Sequence, residues 1–129
     1  MSQENVDAIR HWFEQQRNPE VFFGLLDPHV VFINYASAPE PGPFVGHEGV
    51  REWVRNFRSG LDDFRVDPTQ IIDAGGDQVV VAQEVHGTGP SSGVPVERRF
   101  GSLFTLVNGK IVRVQGFETH QEALAAAGL

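Results

Sequence analysis

The chain contains no cysteine. That absence removes disulfide scaffolds, thiol nucleophiles and thiolate metal sites together, and it fits the cytosol. Basic residues are scarce: 10 Lys and Arg stand against 17 Asp and Glu, for a net charge of -7. A surface of that sign repels phosphate backbones, so no nucleic acid is expected as a partner. No basic amphipathic stretch suits a membrane surface, and no apolar run reaches membrane-spanning length, so no membrane partner is expected. The segment from Met1 to Arg17 is polar and acidic and lacks the apolar core of a signal peptide, which makes the expected location cytoplasmic. Metal spacing is also missing among the five histidines His11, His29, His47, His86 and His120. His47-Glu48 begins a zincin-like string, but Arg51 stands where the second histidine belongs. Gly87-x-Gly89 lacks the third glycine of a dinucleotide fingerprint, and there is no phosphate loop. No metal and no cofactor are expected.

What is present suits one ordinary domain spanning residues 1–129, with 40% hydrophobic and 21% charged residues. Ten Phe and two Trp supply a core. Burying each such side chain contributes roughly 1.5–3 kcal/mol. Val6, Ile9, Trp12, Phe13 and Gln16 recur at helical spacing and predict an amphipathic helix over Glu4–Arg17. Asn18-Pro19-Glu20 has the order of a helix start, with Asn as N-cap and Pro at the first helical position. A short helix through Val21, Phe22, Leu25 and Leu26 then ends at Asp27-Pro28. His29–Ala36 is β-branched and aromatic and reads as a strand, with Val30, Phe32 and Asn34 on one face. The three prolines between Ser37 and Pro43 mark a loop.

Gly46 opens a third helix, in which Val50, Trp53, Val54 and Phe57 make the apolar stripe and Gly60 is the stop. Beyond it the period becomes two. Strands are predicted at Phe64–Ile72, Gln78–Thr88, Pro95–Val107 and Ile111–Glu118, with Pro68 pointing to an edge or a bulge. Asn108-Gly109 is a hairpin turn whose two central residues need positive φ. A short Ala-rich helix, His120–Ala127, ends the chain. Helices broken by one strand, followed by antiparallel strands, are the order of an α+β domain. A strongly bent sheet wrapped over the helices would leave a pocket on its concave side.

Three segments together carry a resemblance: Gly46-His47-Glu48-Gly49-Val50-Arg51-Glu52-Trp53, Asn108-Gly109-Lys110-Ile111-Val112-Arg113, and the tail Glu122-Ala123-Leu124-Ala125-Ala126-Ala127-Gly128-Leu129. They resemble SnoaL-like proteins of the nuclear transport factor 2-like (ketosteroid isomerase-like) superfamily, and the likeness covers nearly the whole chain. It implies a cone-shaped α+β barrel, with three N-terminal helices packed against a strongly curved, mainly antiparallel sheet. The superfamily includes ketosteroid isomerase, polyketide cyclases, limonene-epoxide hydrolase, scytalone dehydratase and non-enzymatic partners, so the likeness fixes fold more than activity. The ketosteroid isomerase Tyr falls at Trp12, its Asp base at Asn34 and its oxyanion Asp at Ser102. All three differ, and Asn cannot abstract a proton at neutral pH. The water-holding Asn of limonene-epoxide hydrolase falls at Asn34, with Phe32 where that family has Tyr. Its Arg-x-Asp strand pair falls at Glu84-Val85-His86, and its last-strand Asp near Glu118 or Thr119.

Glu84 and His86 are two apart on a predicted strand and share a face, a plausible general-base pair or a structural hydrogen bond. A register shifted by one would put Gln83 inside instead. Asn34, a polar group among apolar neighbours, needs a partner, which a pocket water, a ligand or nearby backbone would supply. Ser102 and Gln115 on adjacent strands would orient a ligand or pair across strands. Arg98 and Arg99 face opposite ways, so one of them is placed to bind an anion or pair with Glu84, unless both are surface residues. Trp12, Phe32, Trp53 and Phe104 would form an apolar wall or simple core.

The expectation is a pocket protein for a small apolar organic ligand. As a cofactor-free acid/base enzyme (isomerase, cyclase, dehydratase or epoxide-type hydrolase), it would use His86, Glu84 and Asn34 as catalytic groups. Trp12, Phe32, Trp53, Arg98, Ser102 and Gln115 would bind the ligand. The alternative is a non-catalytic ligand-binding or protein-partner module. Val79, Val81, Leu103 and Thr105, placed on the convex face, point to a homodimer.

Overall fold

The N-terminal apolar stripe forms α1 (Ser2–Glu14), which buries Val6, Ile9, Trp12 and Phe13. In the computed structural model residues 2–129 are described. The helix stops short of Arg17 because the chain tightens into a turn, with the Gln15 amide donating to Trp12 O at 3.1 Å and the Asn18 amide to Gln15 O at 3.0 Å. Next comes α2 (Pro19–Gly24), with Pro19 in its first turn and Asn18 at the N-cap position. The Asn18 side chain makes no capping bond; its carbonyl accepts from the Phe22 amide at 2.9 Å.

The first strand, β1 (Leu26–Ile33), begins earlier than expected and contains Asp27-Pro28, which the sequence marks as a stop. Its parallel pairing with the last strand is irregular between Leu26 and Val31, so the proline sits where the ladder asks for no donor. A two-residue strand, β2 (Phe44–Val45), pairs with its other side. Alternation cannot reveal so short a strand, and its residues fall at the end of the expected loop. Then follow α3 (Gly46–Gly60), β3 (Asp62–Gly75), β4 (Gln78–Thr88), β5 (Pro95–Val107), β6 (Lys110–Phe117) and α4 (His120–Ala126). The β5–β6 turn has φ of 51° at Asn108 and 77° at Gly109, the positive pair that a two-residue hairpin requires.

The sheet order is β2-β1-β6-β5-β4-β3. Only β1–β6 is parallel, which makes a mixed, curved and unclosed sheet, the open cone expected for this α+β order. Pro68 meets both of its sequence readings, since β3 is an edge strand and its register shifts between Pro68 and Gln70. At that edge the Gln16 amide reaches across from the end of α1. Its nitrogen donates to Val66 O at 2.5 Å, and its oxygen accepts from the Val66 amide at 3.1 Å.

The main core lies on the concave side, where Val30, Val79, Val81, Phe104 and Ile111 meet α1. A second, smaller cluster lies on the opposite face, with Val80 and Leu103 under Ala123 of α4. This corrects the expected convex face. Val79 and Val81 are fully buried inside the cone, Leu103 is covered by the chain's own last helix, and Thr105 is half-buried. The apolar surface on which the expected homodimer rested is covered within the chain. Among the described residues no helix is long and apolar enough to cross a membrane.

Candidate functional site

The sheet and the helices α1 and α3 do not meet completely, and a cavity of about 1090 Å³ remains between them. Aromatic residues make much of its wall because each helix and strand turns its apolar stripe inward. Trp12 is stacked on Phe22 at 4.7 Å between centroids and meets Phe104 edge-on at 5.6 Å. Phe32 meets Trp53 edge-on at 5.1 Å, Trp53 meets Phe57 at 4.6 Å, and Phe57 meets Phe64 at 5.2 Å. Such aromatic pairs each contribute about 0.5–1.5 kcal/mol beyond burial. Both indole N–H groups are engaged. Trp12 Nε1 donates to Phe22 O at 3.2 Å and Trp53 Nε1 to Asn34 Oδ1 at 2.9 Å. Trp12, Phe32 and Trp53 therefore line the hollow and hold the core together at once.

Asn34 also lines the cavity. Its Oδ1 takes the Trp53 indole, and its Nδ2 donates to Glu40 O at 2.7 Å. Of the partners left open by the sequence, nearby backbone supplies one, and the Trp53 side chain, which the sequence did not suggest, supplies the other. Two further polar residues face inward on neighbouring strands. Gln83 of β4 is 7% exposed and Ser102 of β5 is 2% exposed, and both line the cavity. They are diagonal neighbours, since Val81 is opposite Ser102 and Gln83 opposite Phe100. Gln83 Oε1 is buried without a hydrogen-bond partner. Charged residues enter the lining only at the mouth: Glu14, Arg17, Arg51, Arg55, Arg58, Asp62, Asp63 and Arg65 are exposed, and Asp67 is partly so. Two of these arginines are already engaged. Arg51 pairs with Glu48 at 2.6 Å and Arg65 with Asp67 at 2.8 Å.

Glu84 and His86 do come together, with His86 Nε2 3.3 Å from Glu84 Oε2 and 3.5 Å from Asp67 Oδ2. Glu97 approaches the other ring nitrogen at 3.9 Å, and Arg99 pairs with Glu84 at 3.1 Å. Glu84, His86, Glu97 and Arg99 are outside the cavity lining, which takes Gln83 and Val85 from this part of β4, while Asp67 on the edge strand belongs both to this cluster and to the mouth. The register is set by burial: Val79, Val81 and Val85 all require the concave side. Because Val80 is apolar too, the run Val79-Val80-Val81 hides that choice in the sequence. Arg98 and Gln115 are not lining residues either. The Arg98 guanidinium donates to Tyr35 Oη at 2.6 Å and lies 4.3 Å over its ring. Gln115 accepts from Arg113 at 3.5 Å, while its neighbours Val114 and Gly116 face the cavity. Among the described residues no three His, Asp or Glu side chains are grouped to hold a metal ion. The sequence reading passed over Phe57, Phe64 and Phe100 as wall residues. The helical stripe Val50-Trp53-Val54-Phe57 was the signal for the first of them.

A family model described as the SnoaL-like domain matches residues 5–114. No curated protein matches the sequence. Among solved structures, an NTF2-like protein of unknown function from Burkholderia pseudomallei superposes with a TM-score of 0.78 at 19% identity, covering 98% of each chain. TerC, co-crystallised with polyporic acid, gives a TM-score of 0.78 at 21% identity over 98% of this chain and 99% of its own. A protein with a ketosteroid isomerase-like fold from Catenulispora acidiphila, in complex with trimethylamine, gives 0.74 at 18% identity over 95% and 92%.

Proposed function

We propose, from the premise that this chain belongs to the SnoaL-like domain family, that its cavity binds a small, largely apolar organic molecule and performs no acid/base step on it. The observation that carries this reading is the lining itself. Aromatic rings surround a hollow of about 1090 Å³ whose interior polar groups, Asn34, Gln83 and Ser102, are neutral. A general base must lie within hydrogen-bond reach of the proton it removes. Amides and a hydroxyl without an activating partner do not serve at neutral pH, and the acidic side chains stand at the solvated mouth. The Glu84–His86 pair has suitable chemistry but is not part of the cavity lining. The co-crystallisation of TerC with polyporic acid supports a ligand-holding role for this fold.

N-phenyl-1-naphthylamine, a neutral probe whose emission rises in apolar surroundings, tests the reading. The wild-type chain is expected to bind it with micromolar affinity, about −8 kcal/mol. Val54 is half-buried on the cavity side of α3, so Val54→Trp places an indole in the hollow. Fluorescence titration should show at least a tenfold weaker Kd for the variant, with its far-UV circular dichroism unchanged. Equal affinity in both proteins would place the probe elsewhere and remove the proposal.

A further inference from the structure

An amide buried without a hydrogen bond is costly in a folded chain, and natural interiors rarely keep one. Gln83 is such a group: it is 7% exposed, its Oε1 has no partner, and it lies on the wall of the cavity. Beside it, Ser102 is 2% exposed and lines the same wall, on the neighbouring strand. Every other polar group of the inner wall is occupied. Asn34 is held by Trp53 and Glu40, and both indoles are bonded. An apolar residue at position 83 would suit the neighbouring Val66, Val85 and Phe100, so packing gives no reason for the amide.

We infer that Gln83 and Ser102 form the recognition point for a ligand hydroxyl, and that the molecule taken is a hydroxyl-bearing aromatic with an otherwise apolar body. The inference rests on the binding reading above and specifies its ligand. The unpaired atom is an acceptor, so it demands a donor, which an O–H supplies and a ketone or ether does not. The ligand oxygen in turn accepts from Ser102 Oγ. Rotation about the last torsion of Gln83 exchanges its oxygen and nitrogen, and a hydroxyl, being donor and acceptor at once, fits either placement. A charged head group fits poorly here, because among the described residues no charged side chain lies in the interior to offset its desolvation.

The test is a cycle with two probes, 2-naphthol and 2-methylnaphthalene, which differ by a hydroxyl in place of a methyl. Dissociation constants are measured calorimetrically for the wild type, Gln83→Leu, Gln83→Met and Ser102→Ala. The quantity read is the ratio of the methylnaphthalene to the naphthol constant, which cancels the general apolar gain. That ratio is expected to fall about tenfold in both Gln83 variants and by a smaller factor in Ser102→Ala, a tenfold change being about 1.4 kcal/mol. The Gln83 variants are also expected to melt a few degrees higher without ligand, since they no longer bury an unpaired amide. Binding of both probes with a ratio unchanged by every substitution overturns the hydroxyl site and leaves the apolar pocket standing. Failure of the wild type to bind either probe overturns both readings. Having both Leu and Met at position 83 keeps the cycle readable where one of them fails to fold.

Discussion

Replacing Trp12 by alanine should destabilise the chain by about 3–5 kcal/mol, the usual range for deleting a buried aromatic. For a domain of this size that lowers the melting midpoint by on the order of 15 °C. Trp12 is 5% exposed and touches the rings of Phe13, Phe22, Phe32 and Phe104, which come from α1, α2, β1 and β5. It is the point at which both early helices are joined to the sheet. Its indole N–H also satisfies Phe22 O near the end of α2, and alanine would leave that carbonyl with a lost partner. One side of the ring already faces the cavity, so the loss adds to an existing hollow that the surroundings cannot easily collapse into. Trp12→Phe keeps most of the ring contacts and loses the hydrogen bond, and should cost a third or less of the alanine effect. Chemical denaturation of the three proteins, read as midpoints at constant slope, measures this. A Trp12→Ala protein within 1 kcal/mol of wild type, roughly the centre of the distribution for all substitutions, would contradict the assigned role.

The second large effect is expected at Gly101, in the middle of β5. A methyl group there would lie 2.8 Å from His120 Cα, 2.8 Å from Thr119 O and 2.9 Å from Ala123 Cβ. Two of these atoms are backbone and cannot swing aside. Gly101→Ala must therefore push α4 off the sheet or distort β5, at an overpacking cost of about 1–3 kcal/mol. The site of damage is specific. α4 lies over Val80 and Leu103, so its amides and theirs should exchange faster with solvent, while amides of α1 and β1 stay protected. Hydrogen exchange resolved by residue separates this outcome from general destabilisation. Uniform loss of protection, with α4 no worse than α1, would show that the close approach does not hold the helix.

Much of the fold is legible in the sequence because hydrophobic period and turn chemistry agree. The bounds of α3, β4 and β5 follow directly from Gly46, Gly60 and the alternating runs, and Asn108-Gly109 fixes the last hairpin. Two kinds of feature stay hidden. One is structure held by distant pairing: β2 has too few residues to show a period, and Asp27-Pro28 reads as a stop until the irregular parallel ladder with β6 is known. The other is the choice of face. In Val79-Val80-Val81 both faces of β4 look apolar, since α1 covers one and α4 the other. A single slip of one position carries Glu84 and His86 outward and Gln83 inward. Trp12, Phe32, Trp53 and Ser102, by contrast, are placed in the cavity wall by the spacing of their own elements, and Asn34 reaches it from just past the end of β1.

Gln16 sits on the apolar stripe of the first helical segment, yet it is polar, and its position at the edge of β3 gives that a meaning. By offering both a donor and an acceptor to Val66, its amide copies the hydrogen-bonding edge of one residue of a neighbouring strand. An open sheet margin invites other chains to add themselves. Here the margin is stoppered from within, beside the mouth of the hollow, by a single side chain of the same molecule.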